Sequence, residues 1–252
     1  MLKQLPTTLH DGVAQCARYA FGPNKLRMCG PDANQELSAY LKEDVTDGGL
    51  THILEQFKTL HPYLQSIASV NHIRDPFDAR VVKAYWIGNE LLEMIPQKSF
   101  YAHLTEKLAL KKKTSSKDFD ELVLKLPKGA RMHHSFHVFN VYKRTGNLEV
   151  LHTVESMDAC RISWGKVVRI DSPDVILQRK PLVLNGNQLS LGAEEEYKVR
   201  RKLEEDDVLD EAQAGDWVTF HWHRPCEIVT PKSIAWLEYY TLKHIALANQ
   251  TL

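Results

Sequence analysis

Two stretches of the sequence decide how the fold is interpreted. They are Met157-Asp158-Ala159-Cys160-Arg161-Ile162-Ser163-Trp164-Gly165-Lys166-Val167-Val168-Arg169-Ile170-Asp171 and Gly215-Asp216-Trp217-Val218-Thr219-Phe220-His221. Both are rich in β-branched and aromatic residues, which favour strands. The first places a cysteine ahead of a glycine and a strand, and the second is a Gly-Asp turn that leads into a strand ending in histidine. If the two strands are neighbours in a small barrel, Cys160 and His221 face one pocket. A thiolate and an imidazole are then available to one transition metal.

Composition sets the outer limits of the interpretation. The chain has 252 residues, of which 43% are hydrophobic and 25% are charged, as in an ordinary globular protein. Lys+Arg and Asp+Glu both number 32, so we expect no general affinity for nucleic acid. No apolar run approaches the roughly 20 residues of a membrane span, and the first residues lack the apolar region of a signal peptide. Four cysteines without a CxxC motif predict a reducing, cytoplasmic location.

The hydrophobic period divides the chain into two parts. Residues 1 to about 110 follow a helical period, with the strongest helix predicted over Asp78–Leu92. From about residue 130 the period changes to two, which predicts strands. The fold class is therefore α+β, with a helical domain at 1–125 and a small β-barrel domain with a C-terminal helix at 126–252. The lysine-rich stretch Lys111–Lys117 is the expected linker or exposed loop between them.

The second part contains recognisable strand, turn and helix signals. His133–Val141 is predicted to be a strand, and residues 143–147 form a hairpin-type turn into a further strand at Leu148–Val154. Asn185-Gly186-Asn187 marks another hairpin. Thr230 and Pro231 stand at the cap and the first position of a final helix, Lys232–Asn249.

Histidines cluster in two places and give the richest metal signal. On a strand, His133 and His137 would point to one face and His134 to the other. His133 and His137 are too far apart along a strand to bind one metal without a bulge, but one of them could join His221 or His223 from another strand. The alternative interpretation involves no metal, because histidines on strands are usually hydrogen-bonded or at the surface. For Cys160 the corresponding interpretation is a small buried apolar residue.

The cysteine and histidine motifs resemble the HypC-type chaperones of [NiFe]-hydrogenase maturation over roughly residues 157 to 235. Cys160 corresponds to the family cysteine, Gly165-Lys166-Val167-Val168 to its glycine turn and strand, and His221 to its histidine. The resemblance implies a small β-barrel that carries iron bearing carbon monoxide and cyanide to the hydrogenase large subunit. Two positions depart from the family pattern: Cys160 is internal rather than N-terminal, and Trp164 replaces a proline.

The N-terminal half resembles an uncharacterised bacterial and archaeal family. The residues that carry this resemblance are Ala17–Asn24, Cys29-Gly30-Pro31 and Ala84–Leu92. It implies no activity. The aromatic residues Tyr85 and Trp86 in the last segment are expected to belong to the core.

Together these observations lead to three hypotheses about function. The first is a hydrogenase-maturation protein that binds iron, or an iron fragment with carbon monoxide and cyanide ligands, through Cys160 and His221. Its expected partners are other maturation factors or a hydrogenase large subunit. The second is a metal-dependent enzyme that uses several histidines; the candidate ligands are His133, His134, His137, His221 and His223. The third is a metal-free adaptor that uses the barrel only for docking.

Overall fold

The computed structural model describes residues 11–141, 152–202 and 208–251. The first part is helical, as the hydrophobic period predicts. Its elements are α1 (Gly12–Lys25), α2 (Asn34–Glu43), α3 (Gly48–Glu55), α4 (Leu60–Val70), α5 (Ala79–Trp86), a 3₁₀ turn (Glu90–Leu92), α6 (Gln97–Ala102), a π-helical turn (His103–Lys107), α7 (Leu110–Lys113) and α8 (Ser116–Val123). None of the described helices is long and apolar enough to cross a membrane.

The described residues of the second part form the strands and three more helices. Its elements are α9 (His134–Phe136), a π-helical turn (His137–Val141), α10 (Val154–Cys160), β1 (Ser163–Asp171), β2 (Asp174–Arg179), β3 (Leu182–Asn185), β4 (Gln188–Leu191), β5 (Glu195–Arg200), β6 (Trp217–His221), β7 (Arg224–Val229) and α11 (Pro231–Ala248). The α+β class is therefore confirmed.

Capping side chains explain where several helices begin. Asp47 accepts hydrogen bonds from Gly49 N–H and Leu50 N–H at the start of α3. Thr230 accepts from Ser233 N–H at the start of α11, so the predicted cap of the final helix is confirmed. Such bonds satisfy N–H groups that have no partner within the helix.

The predicted helix over Asp78–Leu92 is shorter in the structure. Asp78 caps α5 by accepting from Arg80 N–H, and α5 ends at Trp86. Gly88 then adopts a left-handed conformation with φ of 98°, which ends the helix.

The main sheet has five antiparallel strands in the order β5-β2-β1-β6-β7. Strands β1 and β6 are neighbours, as the two-strand interpretation requires, and Ser163 pairs with Phe220. The predicted hairpin at Asn185–Asn187 is also present, as the separate β3–β4 pair. The predicted HypC-like closed barrel is not found in the part of the chain that the structure describes. Among the described strands β5 and β7 are the two edges, and no hydrogen-bonded pairing joins them.

The prediction of a strand over His133–Val141 is wrong. The segment forms α9 and a π-helical turn. His133 acts as the N-cap residue of α9, and its side chain accepts a hydrogen bond from Ser135 N–H. The segment is buried throughout. Its residues therefore do not alternate between a buried and an exposed face, as those of a half-buried strand do. The turn predicted at 143–147 and most of the strand after it lie outside the described residues, and Val154 begins a helix rather than ending a strand.

One hydrophobic core extends across the two parts of the chain. It includes Cys16 and Tyr19 of α1 and also Leu237, Tyr240 and Leu247 of α11. It therefore crosses the boundary expected near residue 125, and α1 packs against β6 and β7. The division into two domains stays a prediction.

Candidate metal centre

Three metal-binding side chains converge where α9, α10 and β6 meet. His134, Cys160 and His221 each offer one ligand atom, and these three atoms lie within 4.8 Å of one another. All three residues are buried. Such a set of one thiol and two imidazoles suits a transition metal such as zinc, iron or copper.

His221 is held in one tautomer by the backbone of α1. Its Nδ1–H donates to the carbonyl oxygen of Tyr19 at 2.7 Å. Nε2 therefore carries the lone pair, and it is buried with no hydrogen-bond partner among the described residues. Burial lowers the pKa of His221 to about 4, so the ring is neutral near pH 7. A neutral imidazole whose second nitrogen is fixed by a carbonyl is the usual form of a metal-binding histidine.

His134 is anchored at both ring nitrogens. Nε2 lies 2.8 Å from the carbonyl oxygen of Cys160, and Nδ1 lies 3.1 Å from the hydroxyl of Tyr85. Its ring centroid lies 4.6 Å from that of Trp86 and 5.1 Å from that of His221. Burial, followed by the nearby His221, lowers its pKa well below the usual value. Both site histidines are therefore neutral and need lose no proton to bind a metal.

Cys160 supplies the sulfur from the last residue of α10. The pKa of its thiol is raised to about 12, chiefly by burial and to a lesser extent by Cys29, while the nearby Trp222 side chain acts in the opposite direction. The thiol is therefore protonated near pH 7, and a metal must displace that proton on binding. The Trp222 indole N–H is buried and has no hydrogen-bond acceptor among the described residues.

A strained two-residue turn brings β6 to the site. Trp222 and His223 connect β6 to β7, and both have positive φ, 48° and 63°. Side chains other than glycine, asparagine and aspartate seldom adopt this conformation, which costs of order 1–2 kcal/mol per residue. Trp222 N–H donates to the carbonyl of Ala159 at 2.8 Å and so ties the turn to α10. Strain of this kind often marks functional positions.

The three donors open onto a cavity of about 1020 Å³. Its walls include the aromatic side chains of Phe57, Tyr85, Trp86 and Trp222, and its rim includes Cys29 and Lys58. The volume suits a small organic ligand. A metal bound by three protein atoms at the floor would therefore remain accessible from the cavity.

The other predicted ligands, His133, His137 and His223, lie outside the group of three converging ligand atoms. His133 Nδ1 lies 2.8 Å from the hydroxyl of Ser135, and its ring stacks on Tyr240 at 5.0 Å, so it is a core histidine. His137 lines the cavity but is not one of the three converging residues. His223 is exposed and contacts the Tyr197 hydroxyl.

Sequence reasoning did not assign Tyr85 or Trp222 to the site. Tyr85 lies in an apolar helical pattern that is typical of core residues. Trp222 directly follows His221, which places a bulky residue in the two-residue turn between β6 and β7. That position is the one sequence signal that could have linked it to the site. Neither position reveals a ligand-binding role without the three-dimensional contacts.

The fold and the cluster together define an α+β protein with a buried His–Cys–His candidate site. A family model described as a family of unknown function, DUF6390, matches residues 8–252, and the chain belongs to that family. No curated protein and no solved structure matches the chain. The family is compatible with the resemblance of the N-terminal half to an uncharacterised family. The resemblance to HypC-type chaperones gains no support from these comparisons.

Proposed function

We propose that this protein binds a transition-metal ion through His134, Cys160 and His221. The observation that carries the proposal is the convergence of their three ligand atoms within 4.8 Å in a buried site. The lone pair on His221 Nε2 has no other partner there, which is costly unless a ligand or water uses it.

The donor set fits a metal with a modest tightening. Nitrogen at about 2.0 Å and sulfur at about 2.3 Å from a tetrahedral metal lie about 3.3–3.6 Å from each other. The ligand atoms lie within 4.8 Å, so any pair needs to close by at most about 1.5 Å. Rotation of the Cys160 side chain and a small shift of the turn after His221 supply movements of this size.

The metal in the leading version of the proposal is iron, carried as part of hydrogenase maturation. This version is supported by the paired motifs of Cys160 and His221 and by their position on adjacent elements. On this hypothesis iron with carbon monoxide and cyanide ligands is the cargo. The partners are maturation factors or a hydrogenase large subunit.

The cavity favours a second candidate, a metal-dependent enzyme. Structural metal sites are usually closed by four protein ligands, whereas catalytic sites keep one position open. Three protein donors at the floor of a cavity of about 1020 Å³ match the catalytic arrangement. The metal would polarise a substrate or a water molecule held in the cavity.

Metal content of anaerobically purified protein tests the site. We expect about one iron or zinc ion per folded chain in the parent, and a loss of most of it in Cys160→Ser, His134→Ala and His221→Ala. Cys226→Ser is the matched control, because Cys226 is also a buried cysteine and is not part of the cluster. Circular dichroism confirms that each variant is folded. Full metal content in all three site variants would contradict the proposal.

Infrared spectroscopy then separates the two candidates. Carbon monoxide and cyanide on iron absorb where proteins do not, so such bands support the carrier. Their absence, together with turnover of a small substrate by the metal-loaded protein, supports the enzyme.

A further inference from the structure

Tyr85 belongs to the wall of the metal-site cavity, and its hydroxyl has no assigned role. Tyr85 lies on α5, is 1% exposed, and lines the cavity. Its hydroxyl lies 3.1 Å from His134 Nδ1. His134 is one of the three proposed ligands, so the state of this hydroxyl depends on what His134 binds.

Whichever ring nitrogen of His134 binds the metal, the hydroxyl hydrogen of Tyr85 loses its hydrogen-bond acceptor. In the metal-free protein, Nε2–H donates to the Cys160 carbonyl, and Nδ1 accepts from Tyr85. If Nδ1 binds the metal, its lone pair is taken and Tyr85 loses its acceptor. If Nε2 binds the metal, Nδ1 carries the hydrogen and donates to the Tyr85 oxygen, which again leaves the Tyr85 hydrogen without an acceptor.

A buried hydroxyl donor without an acceptor is unfavourable, so the metal-bound state calls for a new acceptor in the cavity. The neighbouring Tyr63 provides none that the structure shows: the rings are 5.1 Å apart, and the Tyr63 hydroxyl is buried without a hydrogen-bond partner among the described residues. A ligand on the open side of the metal, inside the cavity that Tyr85 lines, would provide such an acceptor.

The charge of the site selects the kind of acceptor. A divalent metal with one thiolate and two neutral imidazoles carries a net charge of about +1 in a buried site. One small anion on the open position neutralises this charge. Its lone pairs also accept a hydrogen bond, which a neutral donor such as pyridine does not do once it is bound.

We propose that the cavity binds a small anion on the metal and that the Tyr85 hydroxyl donates a hydrogen bond to it. This inference rests on the metal site proposed above and names the class of ligand that the site takes. Tyr85 is then a binding residue for the exogenous ligand rather than part of the core alone.

Azide binding to the cobalt(II)-loaded protein tests the inference. Visible absorption of cobalt reports both the metal and the added ligand. We expect Tyr85→Phe to weaken azide binding about ten- to hundredfold, as for loss of a hydrogen bond to a charged group. Binding of pyridine should not change. Tyr63→Phe is the matched control, because it removes a buried hydroxyl that has no hydrogen-bond partner among the described residues, and it should leave azide affinity unchanged.

The infrared band of bound azide gives a second measurement on the unmodified protein. A hydrogen bond from Tyr85 predicts a shift of that band between H₂O and D₂O, even if Tyr85→Phe fails to load cobalt. Equal azide affinity in Tyr85→Phe and the parent, an equal loss in Tyr63→Phe, or no isotope shift would overturn the inference. If the parent binds no cobalt, the metal site itself fails. If it binds cobalt and only the azide results fail, the metal site stands without this role for Tyr85.

Discussion

Gly22 of α1 and His221 of β6 are in direct backbone contact. A Cβ atom on Gly22 would lie 2.5 Å from the carbonyl oxygen of His221 and 3.3 Å from Cβ of Trp222. Both neighbours belong to the end of β6 and the turn that carries the metal-site imidazole. The absence of a side chain at Gly22 therefore lets the turn lie against α1, where His221 reaches the Tyr19 carbonyl.

Gly22→Ala should displace this turn and weaken metal binding. A backbone oxygen cannot rotate away as a flexible side chain can, so we expect a loss of about 1–3 kcal/mol in the free energy of unfolding. Bound metal per folded chain should also fall. The measurements are urea unfolding and metal content.

Gly48→Ala is the matched control for Gly22→Ala. Gly48 is also helical, and a Cβ there meets no atom within 4 Å. We expect Gly48→Ala to be neutral or to stabilise the protein by up to about 1 kcal/mol, with metal content unchanged. Full metal content in Gly22→Ala would show that the close packing of α1 and the turn does not set the position of His221.

His223→Gly should keep the metal site and relax the turn. His223 has a φ of 63°, which glycine adopts without strain. Its ring contacts the Tyr197 hydroxyl at the surface, so the variant loses one exposed hydrogen bond of modest strength. We expect stability to stay level or to rise by up to about 1 kcal/mol, with unchanged metal content. A loss of bound metal in His223→Gly would instead indicate that His223 is a metal ligand.

The sequence predicted the part of the site that depends on local strand signals. Cys160 comes just before β1 and His221 is the last residue of β6, and the β-branched and aromatic residues predicted both strands. That the two strands are neighbours was a condition of the sequence argument, and it is the structure that shows their antiparallel pairing. The helical first part and the final helix were also predictable, because their apolar spacing is clear.

The third member of the cluster, His134, required the fold. The histidine-rich segment is buried throughout, and a continuous apolar run does not distinguish a buried helix from a strand. In a helix, His134 and His137 are three residues apart and share a face, so both reach the cavity. The sequence likewise did not predict that the sheet is open, because closure depends on pairing between edge strands that are far apart in the chain.

Buried neutral histidines should make the protein sensitive to acid, and His103 is the clearest case outside the metal site. Its pKa is lowered to about 3, chiefly by burial and to a lesser extent by His137 and Lys107. The unfolded chain, with a histidine pKa near 6.5, therefore binds more protons than the folded protein between about pH 6.5 and 3. Stability falls as the pH falls through this window, by at most about 1.4 kcal/mol per pH unit for one group.

His103→Gln should reduce this slope by the equivalent of one proton. The measurement is the free energy of unfolding in urea at several pH values from 6.5 down to 4.5. His52→Gln is the control, because the His52 side chain is 74% exposed and stays in contact with solvent in both states. An unchanged slope in His103→Gln would contradict the assignment.

The last prediction concerns the sulfur of Cys160 and the indole of Trp222. The indole N–H has no hydrogen-bond partner among the described residues, although it lies near enough to the Cys160 thiol to lower the pKa of that thiol. The thiolate formed on metal binding is a stronger acceptor beside it. A hydrogen bond to sulfur withdraws electron density from the metal–thiolate bond. Trp222→Phe removes the donor, so the sulfur-to-cobalt charge-transfer band of the cobalt(II)-loaded protein should move to lower energy.

Trp217→Phe makes the same chemical change on β6, where the indole lies near Lys166 rather than Cys160. It should leave the band unmoved. Cobalt binding without a charge-transfer band in the parent would exclude Cys160 as a ligand. A band that stays in place in Trp222→Phe would show instead that the indole packs against the sulfur without bonding to it. The position of this one band therefore tests both the thiolate ligand and the residue that supports it.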